Sequence, residues 1–369
     1  MINLGYIESF KTDNKWDYTK LQEVFHVKRG DNFTLIKYKK NNSDELGLFR
    51  SVILDDNKIV CISPPKSLPY NKSLKYKIYE FVEGTMINVW FNNKWEIATK
   101  SVIGAECKFY DTQKKPFSDL FYEACEHCNF SLNKLNKNYC YSFVFQHPEN
   151  RIVNNIIFPS IYLIAAYEEI SPNNFKIVPQ NMLRHINGIK FPDEYFGNIN
   201  EIEEQLRSSN APMCNMGIVL RQDNSIYHSK IRNEYFEDIK KLRMNNTNLK
   251  YTYFSLLKKD IIKHYLSIFP EHTENFNIYL NELNTLIEYL LTTYYNIYVN
   301  KSVDTALLKS VYLYHIKKIH YNYIKNLRDF NLHTTYFDVY NYIVNIPLQN
   351  LIYMLDSNKS SKLERTEIA

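Results

Sequence analysis

Tyr79-Glu80-Phe81-Val82-Glu83-Gly84-Thr85-Met86-Ile87-Asn88-Val89 is the stretch on which the reading of this chain turns. Its second half opens a β-prone run, Met86-Ile87-Asn88-Val89-Trp90-Phe91. The turn residues Asn92-Asn93-Lys94 follow, and then a second run, Trp95-Glu96-Ile97-Ala98-Thr99, so a hairpin is expected. Upstream, Leu48-Phe49-Arg50-Ser51-Val52-Ile53-Leu54 and Lys58-Ile59-Val60-Cys61-Ile62 flank Asp55-Asp56-Asn57 in the same way. Phe33-Thr34-Leu35-Ile36-Lys37-Tyr38 precedes them. Downstream, Phe117, Leu120, Phe121 and Ala124 share one helical face behind Pro116, which predicts a helix from Phe117 to Cys128. Residues 1 to about 245 therefore read as mixed, strand-rich structure.

After Lys250 the pattern changes. Tyr253, Leu256, Leu257, Ile261 and Ile262 recur at helical spacing before the breaker Pro270. Further helices are expected at 276–298, 303–326 and 336–355, with a polar tail from Ser357. The chain has 369 residues, enough for two domains, and its 45% apolar content holds no run long enough to span a bilayer. The N-terminus lacks the plan of a signal peptide, so a reducing cytoplasm is expected. The six Cys then read as free thiols. A net charge of +5 is compatible with nucleic acid without requiring it. The 31 Tyr and 22 Phe, with abundant Asn, Ile and Lys, fit AT-rich codons, so a lone surface Tyr says little. With only 8 Gly, a Gly-rich phosphate loop is absent.

Several segments, taken in order, resemble bacteriophage-type RNA ligases and, more broadly, the covalent nucleotidyltransferases. Where that family reads Lys-x-Asp-Gly, this chain has Phe81 at the Lys position and Glu83 at the Asp position. Arg50-Ser51-Val52-Ile53-Leu54 resembles the Arg-Gly-Ile-Ile-Phe strand before the nucleotide pocket. Ser63-Pro64-Pro65-Lys66-Ser67 resembles the loop ahead of the active-site strand, and Trp95 to Ser101 the next hairpin strand. Phe143-Val144-Phe145-Gln146-His147-Pro148-Glu149-Asn150-Arg151-Ile152-Val153 resembles Phe-Glu-Phe…Pro-x-Asn-Arg-Ile-Val and is the most specific piece. Met216 to Leu220 resembles Glu-Gly-x-Val, and Ser229 to Tyr235 the closing Lys-x-Lys…Tyr. The likeness covers about residues 45 to 245. The helical part agrees in length and class only. The resemblance implies an α+β chain: an RNA-ligase-type nucleotidyltransferase domain with antiparallel sheets at 1–248, an all-α domain at 249–356 and a flexible tail at 357–369. With the AT-rich composition it suggests a large DNA virus as the source.

The departures fall on the chemistry. In the family the Lys amine attacks the α-phosphate of ATP, and a phenyl ring has no lone pair to offer phosphorus. Val144 and Met216 stand where the family has Glu, which makes the pocket more apolar and less suited to divalent metal. Val102 stands where a second cation would follow Lys100. In the closing motif, spacing to Tyr235 puts Ser229 and Ile231 at the Lys positions, while a one-residue gap restores Lys230 and Arg232. The resemblance therefore implies a degenerate member that binds a nucleotide or an RNA 5′ end, an mRNA cap included, without covalent chemistry. The implied binding residues are Arg50, Lys66, Phe81, Glu83, Lys100, Arg151, Lys230 and Arg232, with no catalytic residue, metal ligand or cofactor. RNA or a nucleotide is the expected partner, the helical part is an expected surface for RNA or a protein, and no membrane is expected. Two rivals stay open: an active RNA ligase or guanylyltransferase with Lys66 as relocated nucleophile, and a scaffold with an empty pocket.

Each feature also has a plainer reading. Lys66 after Pro-Pro suits a solvated loop or a phosphate contact. Phe81 could stack on a base or fill the core, and Arg151 could only pin a turn. Cys125 and Cys128 are at helical spacing and lack a second Cys pair for zinc. His147 could be a general base or structural. Lys230, Arg232, Lys240, Lys241 and Arg243 could track RNA phosphates or form a solvated helix face.

Overall fold

The computed structural model describes all residues except 40–43, 111–112, 209–215, 223–224, 245 and 367–369, and omits the side chains of 44–45, 307 and 358–366. The chain divides into two compact units, Met1–Leu242 and Arg243–Ala369.

The first unit is built on antiparallel sheets. A six-stranded sheet runs in the order Ile2–Asn3, Asn174–Ile177, Ser160–Ser171, Tyr139–Gln146, Thr85–Asn92 and Lys94–Thr99. Its two faces are both covered, which explains the near-continuous apolar run of Tyr139–Gln146. Alternation along Thr85–Asn92 sends Ile87 and Val89 to one face, where they pack with Leu120, Phe121 and Ala124 of helix Phe117–His127. Trp90 goes to the other face, among Phe25, Ile36, Val52 and Ile62 of a four-stranded sheet, Phe25–Arg29, Thr34–Tyr38, Val52–Leu54 and Ile59–Ile62. Asn88 on that buried face is satisfied by Ser142 Oγ, which donates to its Oδ1 (2.8 Å), and by its own Nδ2 donating to Ser51 Oγ (3.3 Å).

Both expected hairpins are present: Val52–Leu54 pairs with Ile59–Ile62, and Thr85–Asn92 with Lys94–Thr99, Asn93 taking a left-handed φ of 60° at the turn. A second four-stranded sheet, Glu194–Tyr195, Lys77–Glu80, Gly217–Arg221 and His228–Arg232, carries the site described below.

The second unit is helical among its described residues: Leu249–Leu257, Ile262–Ile268, Thr273–Tyr298, Ser310–Asn326, Tyr336–Asn345 and Leu348–Thr366, with short 3₁₀ turns between. Aromatic rings dominate its core; Tyr253, Tyr265, Phe269, Phe276 and Tyr294 are all buried. Three details differ from expectation. The helix expected over 303–326 begins only at Ser310, after a 3₁₀ turn at Thr305–Leu307. The helix expected over 336–355 is two, because Pro347 removes an N–H and forces Ile346 out of the helical region (ψ 161°). The backbone expected as a tail from Ser357 continues the last helix to Thr366; Asn358 to Arg365 contain no Gly or Pro to stop it. No helix among the described residues is long and apolar enough to cross a membrane.

Candidate functional site

Strand His228–Arg232 pairs with Gly217–Arg221, placing Lys230 opposite Val219 and His228 opposite Arg221. Gly217–Arg221 in turn pairs with Lys77–Glu80. Successive side chains of a strand take opposite faces. Ile78, Ile218, Leu220 and Ile231 therefore share one face and pack with Leu206 of helix Ile199–Arg207. Arg221, His228, Lys230 and Arg232 take the other. Ile231 belongs to the apolar cluster and Ser229 is buried, while Lys230 and Arg232 stand together beside Phe81.

Phe81 leaves the end of Lys77–Glu80 with its N–H donating to Gly217 O at 3.1 Å. Gly217 has a φ of +131°, and a Cβ there would lie 2.2 Å from Ile231 O, so the close approach of these strands needs glycine. Lys230 Nζ lies 4.4 Å from the Phe81 ring centroid and Arg232 Cζ 5.5 Å from it. The ring is thus a platform for two cations, and a base would have to compete with them for it.

The field here is strongly positive. Burial, reinforced by Arg50, Arg232, Lys100 and Lys240, pushes the Lys230 ammonium down to about 7. Burial, with Lys230, Arg221 and Arg50 nearby, pushes His228 down to about 3, so its imidazole is neutral. Arg50 and Arg221 are both held below the usual guanidinium range by burial. Arg221 donates from Nη2 to Ile164 O (3.2 Å) and lies 5.1 Å from the Tyr79 centroid. Arg232 is partly exposed and pairs with Glu237 at 2.5 Å. Arg50 and Lys230 differ from these: among the described residues neither has a hydrogen-bond acceptor or a carboxylate for its side chain. A desolvated cation–π contact is worth about 2 kcal/mol or somewhat more, still less than burying an unpaired charge costs. An open hollow of about 610 Å³ borders the site, and its walls are mixed in charge, with Lys230, Arg232, Arg207 and Lys241 beside Glu203, Glu234, Glu237 and Asp238.

Five of the eight expected residues, Arg50, Phe81, Lys100, Lys230 and Arg232, come together here. The other three have contacts of their own. Glu83 is buried, and its carboxylate accepts from the backbone N–H groups of Val153 (2.6 Å) and Asn154 (3.1 Å). Arg151 donates from Nε to Val153 O at 3.0 Å, the turn-pinning role. Lys66 has its N–H bound to Gly47 O (2.9 Å) and its Cβ against Gly47. Replacing Glu83 by Ala would leave buried N–H groups unpaired. It should destabilise the protein by about 2–5 kcal/mol, read from urea unfolding; a loss under 1 kcal/mol, on the same scale, would show that the loop finds other partners.

Arg221 and His228 were missed from the sequence; both follow from counting by twos along Gly217–Arg221 and His228–Arg232. In the loose basic cluster, Lys241 pairs with Asp238 (2.8 Å) and Arg243 is buried. His147 caps a 3₁₀ turn, its Nδ1 accepting from Glu149 N–H at 3.1 Å. Burial raises the Cys125 thiol to about 12, and no metal-ligating group exists among the described residues; Cys214 lies outside them. A larger hollow of about 710 Å³ at the hairpin tips, with Asp31, Asp55, Asp56 and Glu96 in its walls, shares no residue with the cationic cluster.

No known family model matches the chain. It is 28% identical over 116 residues to an RNA ligase of Rhodothermus phage RM378, a match that covers 27% of this chain and 26% of that protein. The chain thus spans about a quarter of the length of the curated relative it matches. Among solved structures it is similar to an archaeal ATP-dependent RNA ligase, with a TM-score of 0.41 and 12% identity over 72% of this chain and 74% of that one. It is also similar to a lysine-to-alanine variant of the Naegleria gruberi RNA ligase solved with ATP and Mn, with a TM-score of 0.35 and 11% identity over 46% and 52%.

Proposed function

We propose that this chain binds a phosphorylated nucleotide or the 5′ end of an RNA in the cationic pocket beside Phe81, and does so without covalent nucleotidyl transfer. One observation carries the reading. Arg50 and Lys230 are half-buried cations that have no counter-ion among the described residues, set among Lys100, Arg232 and Arg221. A phosphate group supplies the missing charge and several acceptor oxygens at once. Val144 and Met216 stand where metal-holding carboxylates would be needed, so the protein's own cations neutralise the phosphates. A capped mRNA end is one ligand of this class, and the cytoplasm of a virus-infected cell is where such an end would be met.

Calorimetric titration with ATP, GTP, a cap analogue and a 5′-triphosphate RNA, each with excess EDTA, tests this. At least one should bind with metal removed. Arg50→Ala should weaken it about ten-fold or more, since a charge-assisted hydrogen bond contributes about 1.5–3 kcal/mol. Binding that vanishes in EDTA, or that Arg50→Ala leaves unchanged, would sink the proposal; no binding by any ligand would favour the scaffold reading.

A further inference from the structure

We propose that the exposed face of helix Ser310–Asn326 is a second binding site, specific for single-stranded RNA and independent of the pocket beside Phe81. The helix is two-sided. Tyr312, His315, Ile316 and Ile319 are buried in the helical unit. On the opposite side Tyr314 and Tyr321 are 57% and 61% exposed, so most of each ring is open to solvent. Lys317, Lys318 and Lys325 are exposed between and beyond them. Positions 314, 317, 318, 321 and 325 follow the i, i+3, i+4, i+7 and i+11 spacing that puts residues on one stripe.

The charge of that stripe selects the partner. The helix contains no Asp or Glu, and among the described residues none of its three Lys pairs with a carboxylate. Just beyond the helix the pattern ends, where Arg328 is neutralised by Asp329 at 3.0 Å. A protein-docking face would bury these ammonium groups at a cost unless the partner supplied acids. A nucleic acid strand brings a phosphate with each base. Its phosphates meet the lysines, and its bases stack on the two tyrosines, whose rings stand two turns apart. Lys318 Nζ lies 5.7 Å from the Tyr314 centroid, so charge and ring are already side by side. The same Tyr-rich composition also fills the core of this unit, which is why exposure and charge, and not the presence of Tyr, carry the assignment.

The full-length protein should be titrated by fluorescence anisotropy with a labelled oligouridine of roughly 15 nucleotides, within the range one such site spans. A 5′-hydroxyl end gives the pocket no terminal phosphate to hold. Tyr314→Ala with Tyr321→Ala should weaken binding about ten-fold or more, and Tyr→Phe at both positions should restore it. Lys317→Gln with Lys318→Gln should flatten the slope of log affinity against log salt by about 1.4. ATP binding should be unchanged in these variants, and Arg50→Ala should leave oligouridine binding intact, which separates failure here from failure of the pocket reading. No binding by the wild type, or wild-type affinity and salt slope in folded variants, would overturn the proposal. In that case the face would be left to a protein partner.

Discussion

Incubated with α-labelled ATP or GTP and Mg²⁺ or Mn²⁺, the protein is expected to leave no label on its band in a denaturing gel. Three physical deficits combine. Phe81 offers no lone pair at the position that the resemblance aligns with a nucleophilic Lys. Val144 is buried and apolar where a carboxylate would stand, and Met216 offers no charge. The nearest amine, Lys230, is held over the Phe81 ring by the geometry of the sheet, in a nest of cations. Its amine is half deprotonated near pH 7 while the pocket is empty. A phosphate that arrives brings negative charge and so favours the ammonium, which removes the nucleophile at the moment a target is present. Loss of a catalytic nucleophile alone can lower turnover on the order of a million-fold. Phe81→Lys alone should not restore labelling, because the acidic positions stay empty. A covalent band would overturn the binding reading. Its disappearance in Lys66→Ala or in Lys230→Ala would then identify which lysine had taken over.

Much of the fold was legible for local reasons. Asn93 and Asp55 terminate strands by turn chemistry that any neighbourhood would respect, so both hairpins followed from five or six residues each. Helix Phe117–His127 followed from one apolar face behind Pro116. Its pairing with Ile87, Val89 and Tyr141 was not legible, because strand order is set by contacts far apart in sequence. The site divides in the same way. Lys230 and Arg232 could be named from the closing motif, yet a one-residue shift there flips every side chain, and only the pairing of Ile231 with Ile218 fixes which face each takes. Glu83 and Arg151 stood out as charged residues in a ligase-like pattern. Their partners are backbone groups at 153 and 154, and no motif predicts a backbone partner. Arg50 stood out equally. That its charge has no carboxylate partner among the described residues depends on how separate elements pack around it, invisible to any one of them.

Affinity for a phosphorylated ligand, measured by calorimetry without metal, is expected to fall steeply as the pH rises above 7, and below it to follow only the ligand's own phosphate titration near pH 6. The sign follows from Lys230. In the free protein its ammonium loses a proton near pH 7, well below the ordinary lysine range. A bound phosphate stabilises the ammonium and moves that loss to higher pH. Below 7 both states hold the proton, and binding is insensitive to it. Above 7 binding must take up a proton, so affinity drops up to about ten-fold per pH unit until the bound form also titrates, roughly a hundred-fold between pH 7 and 9. Ligand ionisation does not mimic this, since the second phosphate proton leaves near pH 6 and is gone above 7. His228 does not contribute, being neutral throughout the range, and the Arg50 and Arg221 guanidiniums keep their charge across it. Tyr167, beside Arg50, is pushed upward by burial and stays protonated. Lys230→Arg should hold affinity level from pH 7 to 9, because a guanidinium does not titrate there. Lys230→Gln should bind more weakly and with equally little slope. Wild-type affinity that stays level over the same range would show that Lys230 does not meet the ligand.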